Sequence, residues 1–483
     1  MESGICMKKG LFSFLLFMFF CSIDPYGSVF ANANDDSIEQ ATTINLNETY
    51  SGVLDTDSDI NFYKFTTTSN GKVNISMANK PNKGWNYQLF DDTGKSFDWY
   101  QSTDYSELAK GNTESGIGLP AGTYYLRVSR TLYYVEGIPY SLQVKFTAGE
   151  FFEKEFNNDL LSASSLVLNK QYEAHLQYDS DVDFYKFDLP SSGKVTISMV
   201  NKSKIGWNYQ LYDDTGKSFE WYQSTDYSEL AKGNTESGIG LPAGTYYLRV
   251  SKTTYNVEGI PYSLQVKFTA GEFFEKEFNN DLSSASPLVL NKQYEAHLQY
   301  NSDVDFYKFN LPSSAKVAIS MINKSNIGWN YQLYDSTGKS FDWYQSTDYS
   351  NLSKGSTQSI ASLPAGEYYL RISYATSNVD GVPYYFKVSA ASNSLNLKQI
   401  LISNGKGAND SVTINKLKKG DVIKVYDSKG KLLVTSIAVV SGQNSVKIKL
   451  PQIGAGTGQL KISITNTGLL ESTAIIVPFD KEK

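Results

Sequence analysis

The sequence predicts an all-β protein with three β-sandwich domains in tandem and a smaller β-sandwich after them. Aromatic residues make up 14% of its 483 residues, with 35 tyrosines, and chains rich in Tyr and Thr are typical of β-sheets. Apolar residues alternate with polar ones in short runs, as in Val73, Ile75 and Met77, which predicts strands with one buried face. Turn residues separate the runs, and no long helical periodicity occurs, which favours a sandwich.

One unit occurs three times. The motif Gly-Trp-Asn-Tyr-Gln-Leu begins at residues 84, 206 and 328, so the period is 122 residues, and all 6 tryptophans follow it. A period of this length is the size of an independent domain rather than of a solenoid repeat. The predicted domains are three repeats and a C-terminal module: 34–148, 149–270, 271–391 and 392–483.

Residues 1–33 are predicted to be a secretory signal peptide. Two lysines precede the apolar run from Leu11 to Phe20, and small residues follow as far as Ala33. The run is shorter than the ~20 residues that a membrane-spanning helix needs. Cys6 and Cys21 are the only cysteines and both lie in this segment, so we expect a secreted, extracellular chain without disulfides.

The charge is divided between acidic repeats and a basic C-terminal module. The whole chain carries −6, and residues 392–483 contain 13 lysines against 6 acids, a net charge of +7 that leaves −13 for the repeats. The acidic repeats argue against nucleic acid as a partner. The basic module could contact an anionic cell wall, or its lysines could be the solvated faces of strands.

The two histidines do not indicate catalysis. His175 and His297 occupy one repeat position, which is Val53 in the first repeat. Valine neither transfers protons nor binds metal, so we predict half-buried strand residues without a shared catalytic role. The sequence also lacks the zinc-protease, nucleophile-elbow and phosphate-loop motifs. We therefore expect a protein that is not an enzyme.

Each repeat resembles the bacterial pre-peptidase C-terminal (PPC) domain. In the second repeat the matching residues are Asp181 to Phe187 in a first long strand, Leu211 to Gly216 at a turn, and Pro242 to Val250 in a late strand. This family has a jelly-roll-like β-sandwich appended to secreted peptidases, and it includes the collagen-binding domains of clostridial collagenases. The C-terminal module resembles the Ig-like β-modules of Gram-positive surface proteins, through Leu417 to Asp427 and Gly468 to Ser472.

The PPC resemblance implies a calcium site at the start of a repeat, built from an acidic segment and an aspartate pair. The implied ligands in the second and third repeats are Glu153, Glu155, Asn157, Asp159, Asp181, Asp183, Glu275, Glu277, Asn279, Asp281, Asp303 and Asp305. Ca²⁺ takes six to eight oxygen ligands, and carboxylates two residues apart on a strand share one face. The alternative is that these acids are solvated linker and turn residues. The first repeat lacks the Glu-x-Glu pair and has Asn61 in place of the second aspartate, which argues against a site there.

Tyrosines that recur in polar surroundings are the candidate ligand-binding residues. They are Tyr100, Tyr125, Tyr222, Tyr247, Tyr344 and Tyr369. The resemblance implies that surface tyrosines of this kind contact the ligand, and exposed aromatic rings suit sugars or a collagen-like peptide. We expect the neighbouring Trp99, Trp221 and Trp343 to pack in the core, as do the tryptophans of the Gly-Trp-Asn-Tyr motif.

These observations predict a secreted, non-catalytic, multivalent protein that adheres to an extracellular polymer, either a collagen-like protein or a polysaccharide. Calcium at the repeat junctions would stiffen the array, and three copies would provide avidity. The alternative is a structural cell-envelope protein of a Gram-positive bacterium, with the repeats as spacers and the basic module against the cell wall.

Overall fold

The computed structural model describes residues 35–483 apart from 57, 79–84, 103–111, 131–134, 179, 202–206, 225–234, 253–260, 301, 323–328, 347–355, 375–381 and 408. The described residues contain 34 strands and two short 3₁₀ helices, Ile38–Gln40 and Leu397–Gln399, and no α-helix. The all-β prediction is confirmed. The predicted signal peptide lies outside the described residues, and within them no helix has the length and apolar character needed to cross a membrane.

Each repeat contains nine strands in the same order. The first repeat has β1 (Thr42–Thr43), β2 (Thr49–Gly52), β3 (Asn61–Thr67), β4 (Gly71–Ala78), β5 (Trp85–Phe90), β6 (Ser96–Ser102), β7 (Asn112–Leu119), β8 (Gly122–Arg130) and β9 (Tyr140–Ala148). The second has β10 (Ser164–Ser165), β11 (Gln171–His175), β12 (Val182–Leu189), β13 (Gly193–Asn201), β14 (Trp207–Asp213), β15 (Ser218–Ser224), β16 (Thr235–Leu241), β17 (Gly244–Lys252) and β18 (Pro261–Ala270). The third has β19 (Ser286–Pro287), β20 (Gln293–His297), β21 (Val304–Leu311), β22 (Ala315–Ile322), β23 (Trp329–Asp335), β24 (Ser340–Ser346), β25 (Ser356–Leu363), β26 (Gly366–Tyr374) and β27 (Pro383–Ser392).

The nine strands form one five-stranded and one four-stranded sheet. In the second repeat the orders are β10-β12-β17-β14-β15 and β11-β18-β13-β16, and the other two repeats have the same arrangement. The two-residue strand that begins each five-stranded sheet pairs in parallel, and the other pairs are antiparallel. The 122-residue period is therefore a repeated fold, and the sandwich prediction is confirmed.

Alternation along the strands produces the core between the two sheets. In β13, Val195, Ile197 and Met199 are buried, while the intervening residues are less so. Trp207 is fully buried and its ring lies 5.7 Å from that of Tyr262, and the equivalent Trp85 and Trp329 are also fully buried. Burial of a large apolar side chain typically contributes about 1.5–3 kcal/mol. The side chains of the other tryptophan series, at 99, 221 and 343, lie outside the described residues.

The C-terminal module is a smaller two-sheet structure. Its strands are β28 (Ile400–Ser403), β29 (Ser411–Asn415), β30 (Val422–Tyr426), β31 (Leu432–Thr435), β32 (Ser445–Lys449), β33 (Gly458–Thr465) and β34 (Ile475–Phe479). They form the sheets β28-β29-β32 and β31-β30-β33-β34. Leu469 of this module packs into the core of the third repeat, and Ser392 N donates to Leu470 O at 2.9 Å. The membership of this module in an Ig-like family stays a prediction.

The chain separates into two compact units. The first consists of Met1–Thr68, Val73–Ser115 and Gly122–Phe146, and the second of Ser69–Lys72, Gly116–Ala121 and Thr147–Lys483. The second unit thus contains the second and third repeats and the C-terminal module, together with two short segments of the first repeat. The predicted domain limits stay predictions.

Candidate metal and ligand sites

A buried acidic cluster lies at the start of the second and third repeats. In the third repeat Glu275 and Glu277 come from the segment between β18 and β19, and Asp305 comes from β21. One carboxylate oxygen of each lies within 4.8 Å of the others, and the second repeat has the same arrangement of Glu153, Glu155 and Asp183. The structure therefore brings together three of the six predicted ligands in each repeat.

Hydrogen bonds hold the carboxylates of the third repeat in place. Glu275 accepts from the backbone N of Gly240 at 3.0 Å through Oε1 and from that of His297 at 2.9 Å through Oε2. Asp305 Oδ2 accepts from the hydroxyl of Tyr384. Glu277 Oε2 accepts from Asn279 N at 3.1 Å, whereas the buried Glu277 Oε1 accepts no hydrogen bond in the described residues. The cluster thus has acceptor capacity that these residues leave unused.

The side-chain amide of Asn279 completes the cluster. With its NH₂ group facing the carboxylates, the nitrogen lies 3.0 Å from Glu277 Oε2 and 2.9 Å from Asp305 Oδ1. With the amide turned the other way, its oxygen faces the same carboxylate oxygens. The second orientation is repulsive unless a cation lies between the oxygens, so the amide can serve as a hydrogen-bond donor or as a metal ligand.

The charges within the cluster are not compensated. Burial, and then the neighbouring Asp305, Asp303 and Glu275, raise the pKa of Glu277 well above its usual value. Burial and the charges of Glu275 and Asp303 raise the pKa of Asp305 in the same direction. Burial lowers the pKa of His297 to about 4, so this residue is neutral at physiological pH. Among the ion pairs of the described residues, none joins a lysine or arginine to Glu275, Glu277 or Asp305.

The other predicted ligands lie outside the three-carboxylate group. Asp159 and Asp281 are exposed, and Asp281 Oδ1 accepts from the backbone N of Ser283 and Ser284 at 2.8 and 2.9 Å. The chain turns at this point and Asp281 holds the turn, so the role of these two aspartates as calcium ligands stays a prediction. Asp303 is buried, but its Oδ2 accepts from Gln299 N at 2.7 Å, and Asp181 accepts from Gln177 N in the same way. These two contribute charge beside the cluster.

The first repeat has a different arrangement at the same place. Asn61 Nδ2 donates to the Tyr140 hydroxyl at 2.7 Å and to Val53 O at 3.1 Å, so hydrogen bonds satisfy it without a metal. Asp35, at the position of Asn157, is buried, and burial raises its pKa to about 6. Both acidic clusters of the described residues belong to the second and third repeats. The absence of a calcium site from the first repeat stays a prediction.

The donor set suits a hard cation. Three carboxylates and a nearby amide offer oxygen ligands, as Ca²⁺ prefers. The neutral imidazole of His297 also lies beside them, with Nδ1 3.4 Å from Glu275 Oε1, and the described residues place no cysteine there. Glu277 Oε1 accepts no hydrogen bond from the described residues, and burial raises the pKa of Glu277, so a cation bound there would stabilise the ionised form of this carboxylate. The residues therefore fit calcium.

A second recurring feature is an aromatic stripe on the outer face of each five-stranded sheet. Tyr247 pairs with Lys186 on one neighbouring strand and with Tyr212 on the other. Tyr212 in turn lies 6.2 Å from Phe184, measured between ring centres. All four side chains are half-buried, whereas Tyr246 and Leu248 point into the core. The prediction that Tyr247 faces away from the core is confirmed.

The stripe recurs in the other repeats. Tyr125 and Tyr369 occupy the position of Tyr247, and the ring pairs Phe62–Phe90 and Phe306–Tyr334 are separated by 6.0 and 6.1 Å. The Phe and Tyr partners were missed from the sequence, although strand alternation places them on this face. The other tyrosine candidates are known only by their backbone pairing with Gln88, Gln210 and Gln332, because the side chains of Tyr100, Tyr222 and Tyr344 lie outside the described residues.

Two regions of the chain match the model of a known family. Residues 181–252 and 303–373 match the family model of the bacterial pre-peptidase C-terminal domain. The second and third repeats therefore each contain a region that matches the PPC domain model, as the sequence motifs predicted.

Curated relatives and solved structures are similar to parts of the chain. Collagenase ColA of Clostridium perfringens is 27% identical over 229 residues, which are 45% of this chain and 20% of the collagenase. Collagenase ColT of Clostridium tetani is 24% identical over 230 residues, 46% of this chain and 22% of that protein. This chain thus spans about a fifth of the length of these relatives. The pre-peptidase C-terminal domain of a Bacillus anthracis collagenase is 27% identical, with 22% of this chain and 94% of that domain covered and a TM-score of 0.18. The adhesin domain of Epf from Streptococcus pyogenes is 17% identical, with 40% and 76% covered and a TM-score of 0.19.

Proposed function

We propose that this protein is a secreted, non-catalytic binding protein whose three repeats adhere together to an extracellular polymer, either a collagen-like protein or a polysaccharide. The observation that carries the proposal is the aromatic stripe, which each repeat presents on the same sheet. Half-buried rings beside a lysine bind extended polymers through stacking and hydrogen bonds at low entropic cost. The first repeat shares the strand order, so we propose that it is a third PPC domain.

Calcium is part of the proposal. The clusters around Glu153 and Glu275 would hold one ion or more at the start of the second and third repeats, where the chain passes from one sandwich to the next. A bound cation would neutralise the repulsion within the cluster and fix the segment that carries it. Calcium would thus stabilise the array without taking part in any chemistry.

Binding to immobilised polymers tests the function. The full-length protein is applied to collagen, chitin, cellulose and peptidoglycan, with calcium and with EDTA. We expect retention on one of them, with the triple variant Tyr125→Ala, Tyr247→Ala, Tyr369→Ala weaker by on the order of 10²-fold or more and each single variant by much less, because the sites act together.

The control variant is Tyr385→Ala, which removes a half-buried tyrosine from the outer side of β27 in the four-stranded sheet. It should bind like the parent protein. Equal binding by the triple variant and the parent would exclude the stripe as the ligand surface.

A second candidate is a cell-envelope role for the basic module. Of its 13 lysines, 11 are exposed, whereas Lys424 pairs with Glu471 at 2.6 Å. An exposed excess of positive charge attracts anionic wall polymers in a salt-dependent manner. Retention on peptidoglycan that carries teichoic acid, lost at high salt and unaffected by the tyrosine variants, would favour this role.

A further inference from the structure

The third repeat makes specific contacts with an edge strand of the second. Strand β16 of the second repeat carries Gly238 and Gly240. A Cβ atom on Gly238 would lie 2.6 Å from Nε2 of His297, and a Cβ atom on Gly240 would lie 2.3 Å from the backbone oxygen of Glu275. Carbon atoms do not approach other groups so closely, so any side chain at these two positions would displace the third repeat.

Hydrogen bonds and an ion pair join the same two surfaces. Glu277 N donates to Gly240 O at 3.0 Å, and Gly240 N donates to Glu275 Oε1 at 3.0 Å. Lys194 of the second repeat pairs with Glu295 of the third at 2.6 Å. The Lys194 ammonium also lies 5.7 Å from the ring centre of Phe274, within the range of a cation–π contact.

The same contacts occur 122 residues earlier. Lys72 pairs with Glu173 at 2.5 Å, and Gly118 N donates to Glu153 Oε1 at 3.2 Å. A Cβ atom on Gly116 would lie 2.6 Å from Nε2 of His175. Two independent junctions of the chain are thus built from the same residue types in the same geometry.

The first and third repeats each lack residues that form one side of these contacts. The first repeat has Ser51 and Val53 at the positions of Glu295 and His297. The third repeat has Ile360 and Ser362 at the positions of Gly238 and Gly240, and both side chains are exposed. The presence of these contact residues therefore correlates with the junctions between repeats and not with the repeat fold, because the fold is the same in all three repeats.

We infer that these residues form a dedicated docking interface whose partner is the next repeat of the same chain. The receiving face consists of Lys194, Gly238 and Gly240, or their equivalents at the first junction, and the inserting face consists of Phe274, Glu275, Glu295 and His297. Because the first repeat lacks the two inserting glutamates and the histidine, and the third lacks the receiving glycines, docking has one direction and does not continue from the third repeat. The interface fixes the spacing between the second and third repeats, whatever polymer they bind.

Spin-label distances across the second junction test this inference. In the full chain with Cys6 and Cys21 replaced by serine, labels are attached to Asp214→Cys and Ser336→Cys, two exposed equivalent positions of the second and third repeats. We expect one narrow distance distribution in the parent and a distribution at least twofold broader in Gly240→Val. The three atoms nearest to the added Cβ all belong to Glu275, so the second repeat itself should remain folded.

Two further variants decide the outcome. Ser362→Val places the same side chain at the equivalent position of the third repeat, where no repeat docks, and should leave the distribution narrow. The double variant Glu295→Ser, His297→Val inserts the residues of the first repeat and should broaden it. A distribution in Gly240→Val as narrow as in the parent, or equal broadening by Ser362→Val, would overturn the inference.

Discussion

Glu277 combines three properties that are costly in a folded protein: it is buried, it lies beside other carboxylates, and one of its oxygens accepts no hydrogen bond from the described residues. Burial of an unpaired charge is strongly unfavourable, so burial and the neighbouring carboxylates raise the pKa of this group and favour its protonated form in the metal-free protein. The same property makes the residue a ready ligand for a cation. Glu277 therefore lowers the stability of the metal-free protein and at the same time favours the binding of a cation.

Replacement of Glu277 by glutamine separates these two effects. Glu277→Gln should raise the thermal midpoint of the protein in EDTA, because the amide is neutral at every pH, and should weaken calcium binding by about tenfold or more, because a charged ligand is lost. Thermal melts in EDTA and across a calcium titration measure both. The matched control is Asp281→Asn, an exposed residue outside the cluster, which should leave the calcium dependence unchanged. If Asp281→Asn weakened calcium binding more than Glu277→Gln did, Glu277 would be excluded as a ligand.

Calcium binding should release protons. The pKa values of Glu275, Glu277 and Asp305 are raised in the folded protein, so the metal-free folded state holds more protons than the unfolded state above about pH 4. Metal-free stability should therefore fall as the pH rises through this range, while the apparent calcium affinity rises. Calorimetric titration at one pH, in two buffers that differ in ionisation enthalpy, measures the protons released. Equal heats in both buffers, together with a calcium affinity that does not change from pH 5.5 to 8, would contradict the raised pKa values.

At the scale of elements, the turn between β14, which begins at the buried Trp207, and β15 is the clearest case in which the sequence specifies the structure. Asp213 Oδ1 accepts from Thr215 N at 2.9 Å, from Thr215 Oγ1 at 2.6 Å and from Lys217 N at 2.9 Å, and Gly216 has a φ of 80°, which favours glycine. Asp335 and Thr337 repeat these contacts in the third repeat. The Asp-x-Thr-Gly-Lys pattern, readable from the sequence, thus fixes the connection.

Asp213→Ala should destabilise the second repeat by about 1 kcal/mol, a typical cost for the loss of local side-chain hydrogen bonds at a chain turn. These hydrogen bonds lower the pKa of Asp213, so their contribution is present above the unfolded pKa near 3.8 and is lost as the pH falls below it. Denaturant melts at pH 7 and pH 3 measure the difference between variant and parent. Asp213→Asn, which retains an acceptor oxygen, should have a stability between those of Asp213→Ala and the parent at pH 7. An equal difference between Asp213→Ala and the parent at both pH values would contradict this account.

The sequence predicted elements better than it predicted the site. Strand alternation and the 122-residue period were sufficient for the sandwiches, because each depends on local residue order. Asp281 was implied as a ligand by the family resemblance, and in the structure it lies at a turn of the chain, so its role as a ligand stays a prediction. His297 was expected to be half-buried, and it is buried because Gly238 of another repeat covers it, a long-range contact without a local pattern. The glycine difference between repeats was a visible signal for that contact.

At the scale of the whole molecule, the three repeats have near-identical folds but different residues at their ends. The second and third repeats have the acidic cluster and the histidine, and the third repeat meets the C-terminal module through Leu469 and Ser392 instead of a fourth repeat. The differences among the repeats therefore lie at their ends, whereas the aromatic stripe is retained in all of them. This distribution is expected of an array in which the binding surface is repeated and the connections are specific to position.

Calcium should consequently stabilise only part of the molecule. The first repeat has Asn61 hydrogen-bonded to Tyr140 where the others have an aspartate, so its unfolding should be the same in calcium and in EDTA. The second and third repeats should each gain about 2.7 kcal/mol when free calcium is 100 times the dissociation constant, because only the folded state holds the site. Scanning calorimetry of the full chain should resolve one transition insensitive to calcium and others that rise with its concentration. The double variant Glu155→Gln, Glu277→Gln should reduce the shift at the same calcium concentration to about 1.4 kcal/mol or less, and a full calcium shift retained in that variant would place the ion elsewhere.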